Sequence, residues 1–213
     1  MTDSALHEQL RNVYWIGGGS AAGKSTIARC LSDQLGLDVY ATDDVMADHA
    51  RRSSRDDSPL LHEFMAMDMD ERWVNRSPQE MFDTFHWFRG ECFNLIIQDL
   101  LALHTERRVI VDGFRLLPHL VAPLLATPNR AVWFLPTPDF RHAVVENRGG
   151  AAWSFLAKTS DPERALHNLL ERDRMFTDML REETARLDLN AIEVDTTTTE
   201  DDLAQRVTAL FSL

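Results

Sequence analysis

The residues best suited to chemistry lie in the run Gly18-Gly19-Ser20-Ala21-Ala22-Gly23-Lys24-Ser25-Thr26. Gly18 to Ser25 fits the pattern G-x-x-x-x-G-K-[ST], whose small residues let successive backbone N–H groups converge on phosphate oxygens. Lys24 would reach the terminal phosphates as a point charge. Ser25 would offer its hydroxyl to magnesium, and the helix that follows would turn its positive end to the anion. Asp112 closes the apolar run Val109-Ile110-Val111, where a carboxylate can hold magnesium or its water beside that hydroxyl. Asp43 and Asp44 leave another short apolar stretch, Leu37 to Thr42. Ligands of open parallel sheets gather beyond the carboxyl ends of the strands, so this pair would face a phosphoryl acceptor, with Asp43 the candidate base. An aspartate here equally suits the N-cap of a helix starting near Val45, and both roles stay open.

Positioning these groups takes strands and helices in alternation. Val13 to Ile16 reads as a buried strand, and Ile27, Leu31 and Leu35 form one face of a helix that Gly36 would close. Further strands are expected at 37–42, 109–112, 130–135 and 191–194, with a terminal helix from Glu200. Between the second and third strands lies an insertion, residues 45–105. Ser77-Pro78-Gln79-Glu80 is a helix start, and Phe82, Phe85, Phe88, Cys92, Leu95, Ile96, Leu100 and Leu103 predict one long helix with a buried face. On that helix His86, Arg89 and Glu91 are polar residues within reach of an acceptor or simply exposed. After the fourth strand a helix over 139–148, a Gly149-Gly150 break, a crossing segment over 151–162 and a second long helix make up a lid region, about 139–175. Arg148, Arg172 and Arg174 are its candidate catalytic groups, because guanidinium forks on a closing segment neutralise a moving phosphoryl group only when substrate is bound. Surface pairing with Glu171, Asp173 or Glu182 is the other reading of these arginines.

Composition narrows the function classes. The 213 residues, 44% of them hydrophobic, suffice for one substantial core and are read as a single domain spanning 1–213. A formal net charge of -12 argues against a cationic groove for a polynucleotide, so no nucleic-acid partner is expected. Two cysteines, Cys30 and Cys92, give no disulfide framework, and no apolar run is long enough to span a bilayer. The expectation is a cytoplasmic protein without a membrane partner. The eight histidines form no H-E-x-x-H, and oligomeric state is not legible.

Taken together, the chain resembles the P-loop kinases of the nucleoside-monophosphate-kinase-like group. Gly18 to Ser25, Asp43, Asp112-Gly113-Phe114-Arg115, the lid arginines and Val194-Asp195-Thr196 carry the likeness. It implies an α/β, three-layer P-loop kinase fold with a five-stranded parallel sheet, and ATP and Mg2+ as phosphoryl donor and cofactor. Asp112 to Arg115 looks like the adenylate-kinase run aspartate-glycine-phenylalanine-proline-arginine without its proline, which implies Arg115 as an acceptor-binding residue. Lys24-Ser25-Thr26 is similar to the ending seen in small-metabolite kinases, some of which use an aspartate after the second strand as base toward a hydroxyl. The resemblance thus implies transfer of the γ-phosphoryl group to a small hydroxyl-bearing metabolite. Two alternatives stand beside it: a nucleoside monophosphate kinase, and a regulatory nucleotide-binding protein or slow ATPase.

Overall fold

The computed structural model describes residues 3–103 and 107–213, so the end of the 45–105 insertion, residues 104 and 105, lies outside the described residues. Five strands form one wholly parallel sheet: β1 (Val13–Gly18), β2 (Asp38–Ala41), β3 (Val109–Asp112), β4 (Ala131–Pro136) and β5 (Ala191–Val194). Their spatial order is β2-β3-β1-β4-β5. The chain leaving β1 crosses toward β2, whereas the chain leaving β4 runs the other way, so a crevice opens beyond the carboxyl end of β1.

Helices cover both faces of the sheet, and strand periodicity decides which side chain meets which layer. Trp15, Val111 and Trp133 point into one core with Phe88, Ile96 and Phe176. Tyr14, Ile16, Ile110 and Phe134 point into the other with Ile27, Leu31, Val207 and Phe211. The first core is covered by α7 (Phe93–Ala102) and α10 (Pro162–Arg186), the second by α2 (Lys24–Leu35) and α11 (Glu200–Phe211). Every residue of β1, β3 and β4 is buried, as both-face coverage requires. The sheet allows no Cβ at the end of β1. One on Gly18, which holds φ +130°, would lie 2.2 Å from the Phe134 carbonyl oxygen.

The insertion departs from the expected single long helix. Ser77 and Glu80 form a reciprocal capping box that opens α6 (Pro78–Thr84), but this helix stops short. A 3-10 turn follows over His86–Arg89, Gly90 and Cys92 both take positive φ (78° and 61°), and only then does α7 begin. Phe85, His86, Trp87 and Phe88 are all buried. Four consecutive residues cannot share one face of an α-helix that turns about 100° per residue, so the chain breaks to bury them all. The stretch 65–73 is also divided, into the end of α4 (Pro59–Ala66) and α5 (Met69–Trp73), the latter with its own capping box from Asp68 and Glu71.

After β4, Thr137 caps α9 (Pro138–Asn147), and two 3-10 turns occupy the expected crossing segment before α10. That segment is anchored: Leu156 is buried in a third cluster with Trp73 and Met81 of the insertion, Val145 of α9 and Leu169 of α10. The insertion and the segment expected to form a lid therefore share a core at one rim of the crevice.

Candidate functional site

The loop from β1 to α2 presents its charge inward. Lys24 is the first residue of α2 and is 8% exposed, with its Nζ donating to the Gly19 carbonyl at 2.7 Å. Burial lowers its pKa, against the opposing pull of Asp43, Asp112 and Asp173. Three carboxylates thus offset part of the cost of burying one ammonium.

The neighbouring strands deliver two of them. Asp112 ends β3 directly across from Ile16 of β1 and Ala41 of β2. Its Oδ2 accepts from the Ser25 hydroxyl at 2.6 Å, while its Oδ1, buried, has no partner among the described residues. Burial raises the pKa of Asp112, and the Ser25 hydrogen bond and Lys24 offset part of that rise. Asp43 follows β2 by two residues and is exposed to the cleft. The surrounding protein raises its pKa, with Lys24 and Arg115 pulling the other way. Neither aspartate of the pair caps the next helix: α3 (Met46–Arg52) has Val45 at its N-cap and no side-chain cap bond. Asp44 is exposed and does not line the cavity that Asp43 enters.

That cavity, about 470 Å³, runs from Ser20 to Thr26 at the carboxyl end of β1, past Asp43, to a rim of aromatic side chains. Arg29 of α2 lines it, and further arginines come from α9 with its C-cap and from α10. Along α9 and its C-cap, Arg141, Val145 and Arg148 fall at i, i+4 and i+7 and all line it. Arg141 is 2% exposed and donates to the Thr177 hydroxyl of α10, while its Nε has no partner among the described residues. Arg148 is exposed, with its guanidinium 5.4 Å from the centre of the Trp153 ring. On α10, Arg172 is 4% exposed and lies 4.4 Å above the Phe85 ring. Its Nε and Nη2 donate to Asp173 Oδ1 at 2.9 and 2.7 Å.

Besides Asp44, the structure separates two expected arginines from this cleft. Arg174 points along α10 to Glu171 (3.1 Å) and Asp178 (2.8 Å) and does not line the cavity, so here surface pairing prevails. Arg115 does not line it either. Its buried guanidinium donates to the Thr42 carbonyl (3.2 Å) and to His49 Nδ1 (2.9 Å), and lies 4.0 Å over the Trp87 ring. Burial lowers its pKa to about 10, which leaves it a cation at neutral pH. The polar residues expected on the long helix are structural as well. Glu91 accepts from the first backbone N–H groups of α4, Arg89 donates to the Asp83 carbonyl, and His86 is buried among aromatic rings. Asp195 accepts from Thr197 and Thr198 within its own turn.

Arg141, Asp173 and the aromatic rim were not among the expected site residues. The i, i+4, i+7 spacing of Arg141 with Val145 and Arg148 is the signal that could have found the first. Asp173 is legible only as the residue beside Arg172, and the rim joins residues 73, 85, 153 and 155, which no local pattern connects.

No family model matches the chain, and none of the curated proteins matches it. Among solved structures, an uncharacterized protein from Eubacterium ventriosum is similar to it at 15% identity and a TM-score of 0.44, covering 94% of this chain and 97% of that one. No helix among the described residues is long and apolar enough to cross a membrane.

Proposed function

We propose that the protein is an ATP-dependent phosphotransferase with a P-loop kinase fold, which transfers the γ-phosphoryl group to a small hydroxyl-bearing metabolite. The observation that carries the reading is convergence: Lys24, Ser25 and Asp43 open onto one cavity, with Asp112 on the Ser25 hydroxyl, at the carboxyl ends of three adjacent parallel strands. Loop N–H groups and Lys24 hold the phosphates of the donor. Lys24 must then exchange the Gly19 carbonyl for phosphate oxygen.

The donor set suits magnesium. The orphaned Asp112 Oδ1 and the Ser25 hydroxyl supply two oxygens, and this ion takes one or two protein ligands and completes its shell with phosphates and water. Among the described residues no group of three or more His, Cys, Asp or Glu comes together as a protein-only cage. When bound, the ion draws negative charge from the phosphate oxygens.

Asp43 accepts the proton of the acceptor hydroxyl as its oxygen bonds to the γ-phosphorus and the bond to the β,γ-bridging oxygen breaks, releasing ADP. A carboxylate whose pKa is raised is the stronger base for that step. Arg141 and Arg148 neutralise charge on the moving group from the α9 side of the cavity.

ADP release from ATP and magnesium, measured against pooled nucleoside monophosphates, nucleosides, sugars, hydroxy acids and aminoglycosides, tests this reading. Release that depends on one hydroxyl pool and disappears in Lys24→Ala is the expected result. Nucleotide retained without acceptor-dependent release from any pool would overturn it in favour of a regulatory nucleotide-binding protein.

A further inference from the structure

The cavity has two chemically different ends. Its loop end carries Lys24, Arg29 and Asp43, whereas another rim is made of Trp73 and Phe85 of the insertion and Trp153 and Phe155 of the segment after α9, with Arg148 against Trp153 and Arg172 against Trp73 and Phe85. Phe155 sits 4.6 Å from Trp73, and Trp153 5.8 Å from Phe155, so these rings form one aromatic wall. Trp153 and Phe155 remain half-buried. Large apolar faces left open in a charged cleft cost free energy that an occupant with its own apolar face recovers.

Arg172 lies in this same wall. It lines the cavity, is 4% exposed, and its Nη1 is buried with no partner among the described residues. Its other two donating nitrogens are spent on Asp173. A buried guanidinium N–H without an acceptor is costly, and an oxygen carrying negative charge satisfies it best.

We infer that the acceptor is a flat-ringed alcohol carrying a carboxylate or carbonyl oxygen, its ring stacked on the Trp73/Phe155 wall and that oxygen bonded to Arg172. This rests on the phosphotransferase reading above, and assigns the acceptor end of that site. Polyols fit poorly, because aromatic faces return none of the hydrogen bonds that their hydroxyls lose on leaving water. Polycationic amino sugars fit worse. Asp173 is already paired with Arg172, which leaves Asp43 as the free carboxylate lining a cavity that holds Lys24, Arg29, Arg141, Arg148 and Arg172.

Direct binding separates this inference from the reading it rests on, because it needs no turnover. Calorimetry of the full chain, with and without a non-hydrolysable ATP analogue and magnesium, would use four probes: 4-(hydroxymethyl)benzoate, benzyl alcohol, myo-inositol and kanamycin. The benzoate should bind roughly tenfold or more tightly than myo-inositol, as one stacked ring is worth, and kanamycin should not bind. Trp153→Ala, at the open end of the wall, should weaken the benzoate by a similar factor. Arg172→Met should abolish the preference for the benzoate over benzyl alcohol. Phe155→Leu is the second wall variant should Arg172→Met fail to fold. Equal or tighter binding of myo-inositol or kanamycin, no benzoate binding at millimolar concentration, or wall variants that bind the benzoate like wild type would each overturn the inference. Ring binding with no ADP release from any hydroxyl compound would overturn the phosphotransferase reading while the ring preference stood.

Discussion

Asp43→Asn changes one oxygen to an amide nitrogen at nearly constant volume and removes the only proton acceptor proposed for the hydroxyl. Positioned general bases contribute roughly 10²- to 10⁴-fold. Asp43 is open to the cleft, so water can take over part of its task, and the lower end applies. The expected fall in kcat is therefore about 10²-fold, or about 2.7 kcal/mol of transition-state stabilisation. Affinity for the ATP analogue should change little, since Lys24 and the loop amides hold the donor. The wild-type acid limb should also disappear: on the proposed reading kcat/KM of the wild-type protein falls as pH drops through a pKa raised above 3.8, and the variant has no such group. Stability supplies an internal check. A carboxyl whose folded pKa is raised binds its proton more tightly folded than unfolded, so ionisation near neutral pH works against the fold. The variant should be at least as stable as wild type at pH 7. The assay is coupled ADP release across pH at saturating ATP, with urea denaturation alongside. A loss of less than about threefold in kcat, a benchmark well below the usual general-base range, would refute the base assignment and favour an acceptor that is itself a phosphate. A variant both inactive and destabilised would show that Asp43 holds the structure rather than the proton.

Two further changes probe the frame around the site. Gly18→Ala combines a strained backbone at φ +130° with a Cβ placed 2.2 Å from the Phe134 carbonyl oxygen; each effect costs about 1–3 kcal/mol, so urea denaturation should show a loss of about 2–6 kcal/mol, and a neutral result would mean that β1 and β4 are not in this register. His86 is buried with its pKa lowered from 6.5 to about 3, chiefly by burial and then by Arg115 and Arg172. Between those values the unfolded chain binds the proton and the folded chain does not, so stability is lost as pH falls below 6.5, by at most on the order of 5 kcal/mol. His86→Phe should flatten the stability profile between pH 6.5 and 4, and an unchanged slope would place the acid sensitivity elsewhere, His49 being the next buried candidate.

What could be read from the chain follows how locally each feature is encoded. The Gly18–Ser25 loop, Asp43 and Asp112 are legible because a strand end, a turn and a helix start are written in consecutive residues, and the sheet sets their relative position. The broken helix at 84–93 was not legible. Phe82, Phe85, Phe88 and Cys92 keep helical spacing on their own, and only the burial of His86 and Trp87 between them shows that two faces must be covered at once. Arginines were legible as a type but not as individuals. Arg172 and Arg174 are two residues apart on one helix, and the roughly 200° between them sends one into the cavity and the other to Glu171 and Asp178.

Arg115 turns inward, away from the acceptor role that its place in the sequence implies. The run Asp112-Gly113-Phe114-Arg115 is one residue shorter than the run it resembles, and its guanidinium lies against Trp87. Arginine can only donate, so its bond to His49 Nδ1 fixes the imidazole proton on Nε2, which donates to Asp99 Oδ2 at 2.7 Å. Tyr40 and Arg52 donate to the same carboxylate, each at 2.7 Å. Freeing Arg115 for a substrate would strip a buried chain of partners that links β2, α3, α7 and the turn after β3. An acceptor phosphate would therefore need another cation. With Arg141 and Arg148 assigned to the moving group and Arg29 beside the loop on α2, the cation at the acceptor end is Arg172, which lies on an aromatic wall with two of its nitrogens already committed to Asp173. Nη1, its one nitrogen without a partner among the described residues, is buried against aromatic rings and suits one oxygen on a ring better than the dianion of a nucleoside monophosphate. The inward turn of Arg115 and the setting of Arg172 thus argue together for a hydroxyl, and with it for Asp43 as the base.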